Sequence, residues 1–144
     1  EKLVVEVEVS IDFVSFALEA EAGRLAAAIP EKYIGGERLR VAAYRKFAAL
    51  EHEAELEDYR EELRDRFGPL PPQVTNLIDV VRLKLLASDA GHRVLTVLNG
   101  RVTLRNPAGS IYRLPDGKAP YIDYRDRPEL RMKHLIKTVR EAKC

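Results

Sequence analysis

Apolar and polar side chains alternate along the first stretch of the chain. Val5, Val7, Val9, Ile11 and Phe13 fall on one side, and Glu6, Glu8, Ser10 and Asp12 on the other. Successive strand residues point to opposite faces, so this pattern predicts a strand with one buried and one wet face. Residues 14–36 keep no clear period. Phe16, Leu18, Leu25 and Ile29 either extend the strand into a hairpin through Glu21-Ala22-Gly23 or belong to a loose arm, and periodicity does not choose. Pro30 and Gly35-Gly36 then punctuate the chain.

Three helical patterns follow. Over 37–50, Leu39, Ala43, Phe47 and Leu50 recur at spacings of four and three. Over 53–67 the apolar stripe is Leu56, Tyr59, Leu63 and Phe67. Gly68 permits a left-handed close, and Pro69 stops continuation. Pro71-Pro72 open a third helix running to about Ala90, with Val74, Leu77, Ile78, Val81 and Leu85 on one face and Gly91 closing it.

From Arg93 the period changes to two. Residues 94–98 and 101–104 flank Asn99-Gly100, both tolerant of positive φ, which is the strongest hairpin signal in the chain. Asn106-Pro107-Ala108-Gly109 makes another turn. Ile111–Leu114 and Tyr121–Tyr124 are short strand candidates around Asp116-Gly117. A last helix over about 128–142 buries Met132, Leu135, Ile136 and Val139. Segregated elements of this kind predict an α+β fold: an N-terminal strand, three consecutive helices, antiparallel strands including the Asn-Gly hairpin, and a C-terminal helix. The parts divide at 1–36, 37–91, 92–127 and 128–144 of a single domain, the size that 144 residues support.

Composition is that of a globular chain, with 46% apolar and 33% charged residues. Neither a transmembrane run nor a secretory signal is visible. The opening Glu1 suggests an excised or processed piece. The lone Cys144 excludes an internal disulfide and suits a reducing cytoplasm. Net charge is +1 but unevenly spread: residues 1–100 carry 13 Lys/Arg against 18 Asp/Glu, and 101–144 carry 11 against 5.

Catalytic signatures are missing. Neither Gly-rich phosphate motif occurs, the three histidines share no metal-ligand spacing, and Glu51-His52-Glu53 does not set two imidazoles on one helical face. Residues 51–65, however, hold eight carboxylates. Such a run could hold magnesium or serve acid–base chemistry in a small hydrolase. Asp58, Glu62 and Asp65 fall at i, i+4 and i+7, one row beside the apolar stripe, which is ordinarily a solvated face. Glu62 and Asp65 nevertheless sit in the last turns, where the helix dipole disfavours negative charge, with Arg64 and Arg66 as local offsets. An acidic edge so placed is what a docking surface for a basic partner requires. The basic tail (Arg125, Arg127, Arg131, Lys133, Lys137, Arg140, Lys143), with Tyr112, Tyr121 and Tyr124 for stacking, supports an alternative: an independent nucleic-acid-binding module using the C-terminal helix.

One stretch is distinctive: Glu37-Arg38-Leu39-Arg40, then Tyr44-Arg45-Lys46, Glu62-Leu63-Arg64-Asp65-Arg66-Phe67-Gly68-Pro69-Leu70-Pro71, and Asn76-Leu77-Ile78-Asp79 with Arg82-Leu83-Lys84. It resembles the C-terminal, regulatory domain of bacterial transcription-repair coupling factors (the Mfd family). The D-R-F-G-x-L-P run followed by N-L-x-D-x-x-R-L-K joins a helix end, a turn and the next helix in fixed register. Ile29-Pro30-Glu31-Lys32-Tyr33-Ile34 resembles the stretch before the first helix of that family. The likeness covers about residues 3–13 and 29–105, and the last helix more loosely. Residues 14–28 look like an insertion, and 106–120 lack a helix found in other members.

The resemblance implies a non-catalytic part of a large cytoplasmic, ATP-driven DNA translocase of nucleotide-excision repair. Other domains of that protein bind RNA polymerase, DNA, ATP and magnesium, and no cofactor is expected in this piece. It further implies a clamp that packs on a UvrB-like domain of the same protein and hides the surface recruiting UvrA. The family's acidic pair falls on Glu62 and Asp65, which makes Glu62, Asp65, Asp58 and Arg66 the candidate interaction residues. No membrane partner is implied.

Overall fold

A computed structural model describes residues 6–143. Val5 and Cys144 lie outside the described residues. Strand β1 (Glu8–Ile11) is followed by β2 (Val14–Ser15) and β3 (Leu25–Ala26). Three helices come next, α1 (Glu37–Ala49), α2 (Glu53–Phe67) and α3 (Pro72–Asp89), then β4 (Val94–Leu98), β5 (Arg101–Arg105) and α4 (Pro128–Glu141).

The sheet order is β1-β4-β5. β4 and β5 are antiparallel, with Leu98 opposite Arg101 and only Asn99 (φ 49°) and Gly100 (φ 88°) between them. β1 instead pairs with β4 in parallel, Glu8 opposite Val94. The sheet is therefore mixed rather than purely antiparallel. A parallel neighbour needs a long crossover, and the three helices supply it.

α3 is the central helix. Val74, Leu77, Ile78, Val81 and Leu85 are buried on the expected face, and Val80, Leu83 and Ala87 are buried as well. With apolar contact around most of its girth it packs against the sheet, α2 and α4 together. From α4, Met132, Leu135 and Val139 enter the core while Ile136 stays half-buried.

The segment 14–36 is neither an antiparallel hairpin nor a loose arm. Val14 and Ser15 pair in parallel with Leu25 and Ala26. The return leg is tied to the body: Asn76 donates to the Ala26 carbonyl (2.9 Å), and the Ile29 amide donates to the Tyr44 hydroxyl (2.7 Å). Leu25, Ile29 and Ile34 are buried, whereas Phe16 (62% exposed) and Leu18 (49%) stand in solvent.

Three further expectations are corrected. Ile111–Leu114 and Tyr121–Tyr124 are not strands, so 92–127 holds two strands and a long loop. That loop pairs with β5 through the isolated bridges Arg105–Ile111 and Arg101–Tyr121. Pro115 and Pro120 lack the amide a ladder needs, and a tight turn closes the chain where the Leu114 amide donates to the Lys118 carbonyl (2.8 Å). Leu39 is not core but 48% exposed, because the buried residues of α1 are Ala43 and Phe47. Within the first strand, Val7, Ile11 and Phe13 are buried as the alternation requires, but Val9 is only half-buried. No helix among the described residues is long and apolar enough to cross a membrane.

Candidate protein-interaction face on helix α2

Helix α2 begins with a reciprocal cap. Glu55 Oε1 accepts from the amides of His52 and Glu51, each at 2.9 Å, and these bonds hold its carboxyl below the usual range. It ends at Gly68, whose φ of 94° and amide bond to the Arg64 carbonyl (2.9 Å) close the last turn. The Tyr33 hydroxyl reaches the carbonyls of both Gly68 (2.9 Å) and Leu63 (3.1 Å), and the first of these is an acceptor that a helix C-terminus leaves orphaned.

Leu56, Tyr59 and Leu63 fix the inward side, with Phe67 half-buried behind them. One flank is then pinned electrostatically. Glu53 accepts two bonds from Arg140 (2.9 and 2.8 Å) and one from Arg82 (2.7 Å), while Arg82 also pairs with Glu57. The Arg140 bonds are the main cause that holds the Glu53 carboxyl down to about 2, with Arg82 adding to them against the opposing effect of burial. One carboxylate thus links α2, α3 and α4. Nearby Asp79 is half-buried, and loss of solvent pushes its carboxyl up despite Arg82 and Arg60.

These contacts sort six of the eight carboxylates of 51–65. Glu53, Glu55 and Glu57 serve the fold. Asp58, Glu62 and Asp65 share one exposed face, as their spacing requires. Arg66 joins them and lies 3.7 Å from Glu62, an exposed i,i+4 contact worth a few tenths of a kcal/mol at most, ~0.3–0.5. The structure therefore brings together all four candidate residues on one solvent-facing surface. It also supplies residues that sequence reasoning missed, Glu53, Arg82 and Arg140. Glu53 and Glu57 at i and i+4 on the flank of the apolar stripe are the signal that could have found the first contact. The link to Arg140 crosses 87 positions and has no local sign.

The basic tail is sorted in the same way. Arg131 donates to the carbonyls of Asp126 (2.8 Å), Tyr124 (2.8 Å) and Gly23 (3.2 Å), and its guanidinium lies 4.3 Å over the Tyr124 ring. Arg140 is held by Glu53, and Arg125 by Asp123 (2.7 Å). Of the three tyrosines offered for stacking, Tyr124 packs edge-on against Phe13 and Tyr112 against His92. Tyr121 is 65% exposed. Its ring covers Gly100 so closely that a Cβ there would lie 2.5 Å from it. His92 is buried, with Nε2 2.6 Å from the Ala142 carbonyl, so that nitrogen donates. Among the described residues no three His, Cys, Asp or Glu side chains converge on a metal-binding geometry.

The chain was compared with known families, curated proteins and solved structures. The sequence model of the TRCF domain family matches residues 24–110. Similar curated proteins include the transcription-repair-coupling factors of Rickettsia typhi and Haemophilus influenzae. The first is 43% identical over 58 residues, 40% of this chain and 5% of that protein. The second is 41% identical over 63 residues, 44% and 6% respectively. The matched part of the chain thus spans about a twentieth of the length of these relatives. Among solved structures, the C-terminal domain of transcription-repair coupling factor superposes with a TM-score of 0.59 at 15% identity, covering 97% of this chain and 98% of that one. The whole fold, including the first strand and last helix that lie outside the family match, therefore has the architecture of that domain. On the family match, which takes in α1 to β5 and so the whole acidic face, the chain belongs to the TRCF domain family.

Proposed function

We propose that this chain is a non-catalytic, autoinhibitory interaction domain within an ATP-dependent DNA translocase that couples transcription to nucleotide-excision repair. In this reading Asp58, Glu62 and Asp65 dock on a basic surface of the protein's UvrB-like domain and so mask the surface that binds UvrA. The observation that carries it is the division of α2. One flank is pinned by Glu53 to Arg82 and Arg140, and the opposite acidic row is left to solvent. A rigidly held helix with an uncommitted charged edge is pre-organised for a partner of opposite sign. Charge complementarity of that kind sets register and specificity more than raw affinity.

The test uses the full-length protein carrying this domain. Glu62→Ala/Asp65→Ala should increase recovery of UvrA in a pull-down at equal concentrations and raise the ATPase rate, as a closed state opens. Unchanged recovery with a folded domain would return the row to an ordinary solvated face. The isolated chain should show no ATP turnover above buffer, and turnover that survives repurification would contradict the non-catalytic assignment.

A further inference from the structure

The acidic row does not stand alone on its side of the molecule. α1 lies beside α2, joined to it by the short 50–52 link, with Phe47 against Tyr59 (ring centroids 5.0 Å apart) and Lys46 over the same ring (5.8 Å). Both contacts lie on the Tyr59 ring of α2. A groove of about 190 Å³ runs between the two helices, walled by Leu39, Ala42 and Lys46 on one side and Glu62 and Arg66 on the other.

The outer surface of α1 carries Arg38, Ala42 and Arg45 at i, i+4 and i+7. That is the spacing of Asp58, Glu62 and Asp65 on α2. Each stripe therefore spans about 10.5 Å, at 1.5 Å per residue. Arg38, Arg45, Asp58 and Asp65 are all exposed, and among the described residues none has an ion pair or hydrogen bond from its side chain. The basic stripe is flanked by exposed apolar side chains, Leu39 (48%) and Val41 (41%).

We infer that this two-helix face is self-complementary and that a second copy of the chain occupies it. A two-fold axis lying along the groove sets α1 of one copy over α2 of the other, basic stripe against acidic stripe. That contact forms twice, as a closed isologous interface requires. A nucleic acid would meet repulsion from the acidic half. This inference goes beyond the proposed function. It uses the same acidic row, so pairing of copies and docking within one protein exclude each other.

Sedimentation of the isolated chain tests it, from about 10 μM to about 1 mM. The average mass should rise toward twice that of the chain at ~0.05 M salt, and association should weaken about tenfold at ~0.5 M, since exposed charges are screened. Arg38→Glu/Arg45→Glu and Asp58→Arg/Asp65→Arg should each stay monomeric alone. Mixed in equal amounts they should associate, because both contacts of the mixed pair are again complementary. A parent chain that remains monomeric, or variants that fail to pair on mixing, would overturn the inference. Either result leaves the UvrA pull-down, and the docking it reads, to stand or fall separately.

Discussion

Two charged regions of this molecule, one basic and one acidic, differ in how their charge is used. The C-terminal region is basic, yet two of its arginines are structural. Arg131 gathers three carbonyls from two separate segments, and Arg140 grips Glu53. Helix α2 is acidic, and its charge divides in two. Glu53, Glu55 and Glu57 are engaged within the fold, while Asp58, Glu62 and Asp65 face solvent. The comparison teaches that a run of like charge identifies a partner surface only after the internal partners are subtracted. On that criterion the acidic edge gains as a docking candidate and the basic tail loses.

The comparison can be broken most forcefully at the inward side of α2. Leu63 is 1% exposed, and Leu63→Ala should cost about 2–5 kcal/mol in a denaturant melt, through lost burial and a residual cavity. A change under about 0.5 kcal/mol, the range of a surface site, would mean that α2 turns a different face to the core. Arg131→Ala comes next, at about 2–3 kcal/mol, because it orphans carbonyls and removes a stacked cation. Lys should not rescue it, since one ammonium cannot span that fork. Exposed Lys137→Ala should be silent in the same melt.

Glu53 sharpens the comparison by pH. Its folded carboxyl sits at about 2, below the unfolded value of about 4.3, so its contribution is complete above that value and fades as pH falls toward 2. Glu53→Gln should cost about 1–2 kcal/mol at neutral pH and flatten the acid limb of the stability curve between those limits. An unchanged acid limb would show that the link to Arg82 and Arg140 adds nothing net. Smallest of all, Glu62→Ala/Asp65→Ala should leave stability within about 0.5 kcal/mol, as surface changes do. A larger loss would show that these carboxylates belong to the fold.

Where local chemistry is strong, the chain was legible. The bounds of α2 follow from its four-residue stripe and the Gly68-Pro69 stop, and the turn at Asn99-Gly100 from two residues that accept positive φ. The acidic row was visible because helical spacing alone places Asp58, Glu62 and Asp65 together. What escaped depends on distant partners. The two-residue ladder of β2 and β3 is too short to leave a period, and the parallel placing of β1 beside β4 is decided by a crossover of about eighty residues. Ile111–Leu114 has the composition of a strand, but prolines and a tight turn limit it to one bridge. Leu39 fits the stripe of α1, yet Ala43 and Phe47 alone carry that helix's burial. The Glu53–Arg140 contact was invisible because nothing near either residue announces the other.

The central claim is that the acidic edge of α2 docks on a basic surface of the UvrB-like domain. Titrating the isolated chain with that domain, produced separately, tests it by calorimetry at low salt. The account predicts saturable binding that weakens with salt and drops by about tenfold or more in Glu62→Ala/Asp65→Ala. Equal affinity for the parent and the double variant, with both folded, would contradict it.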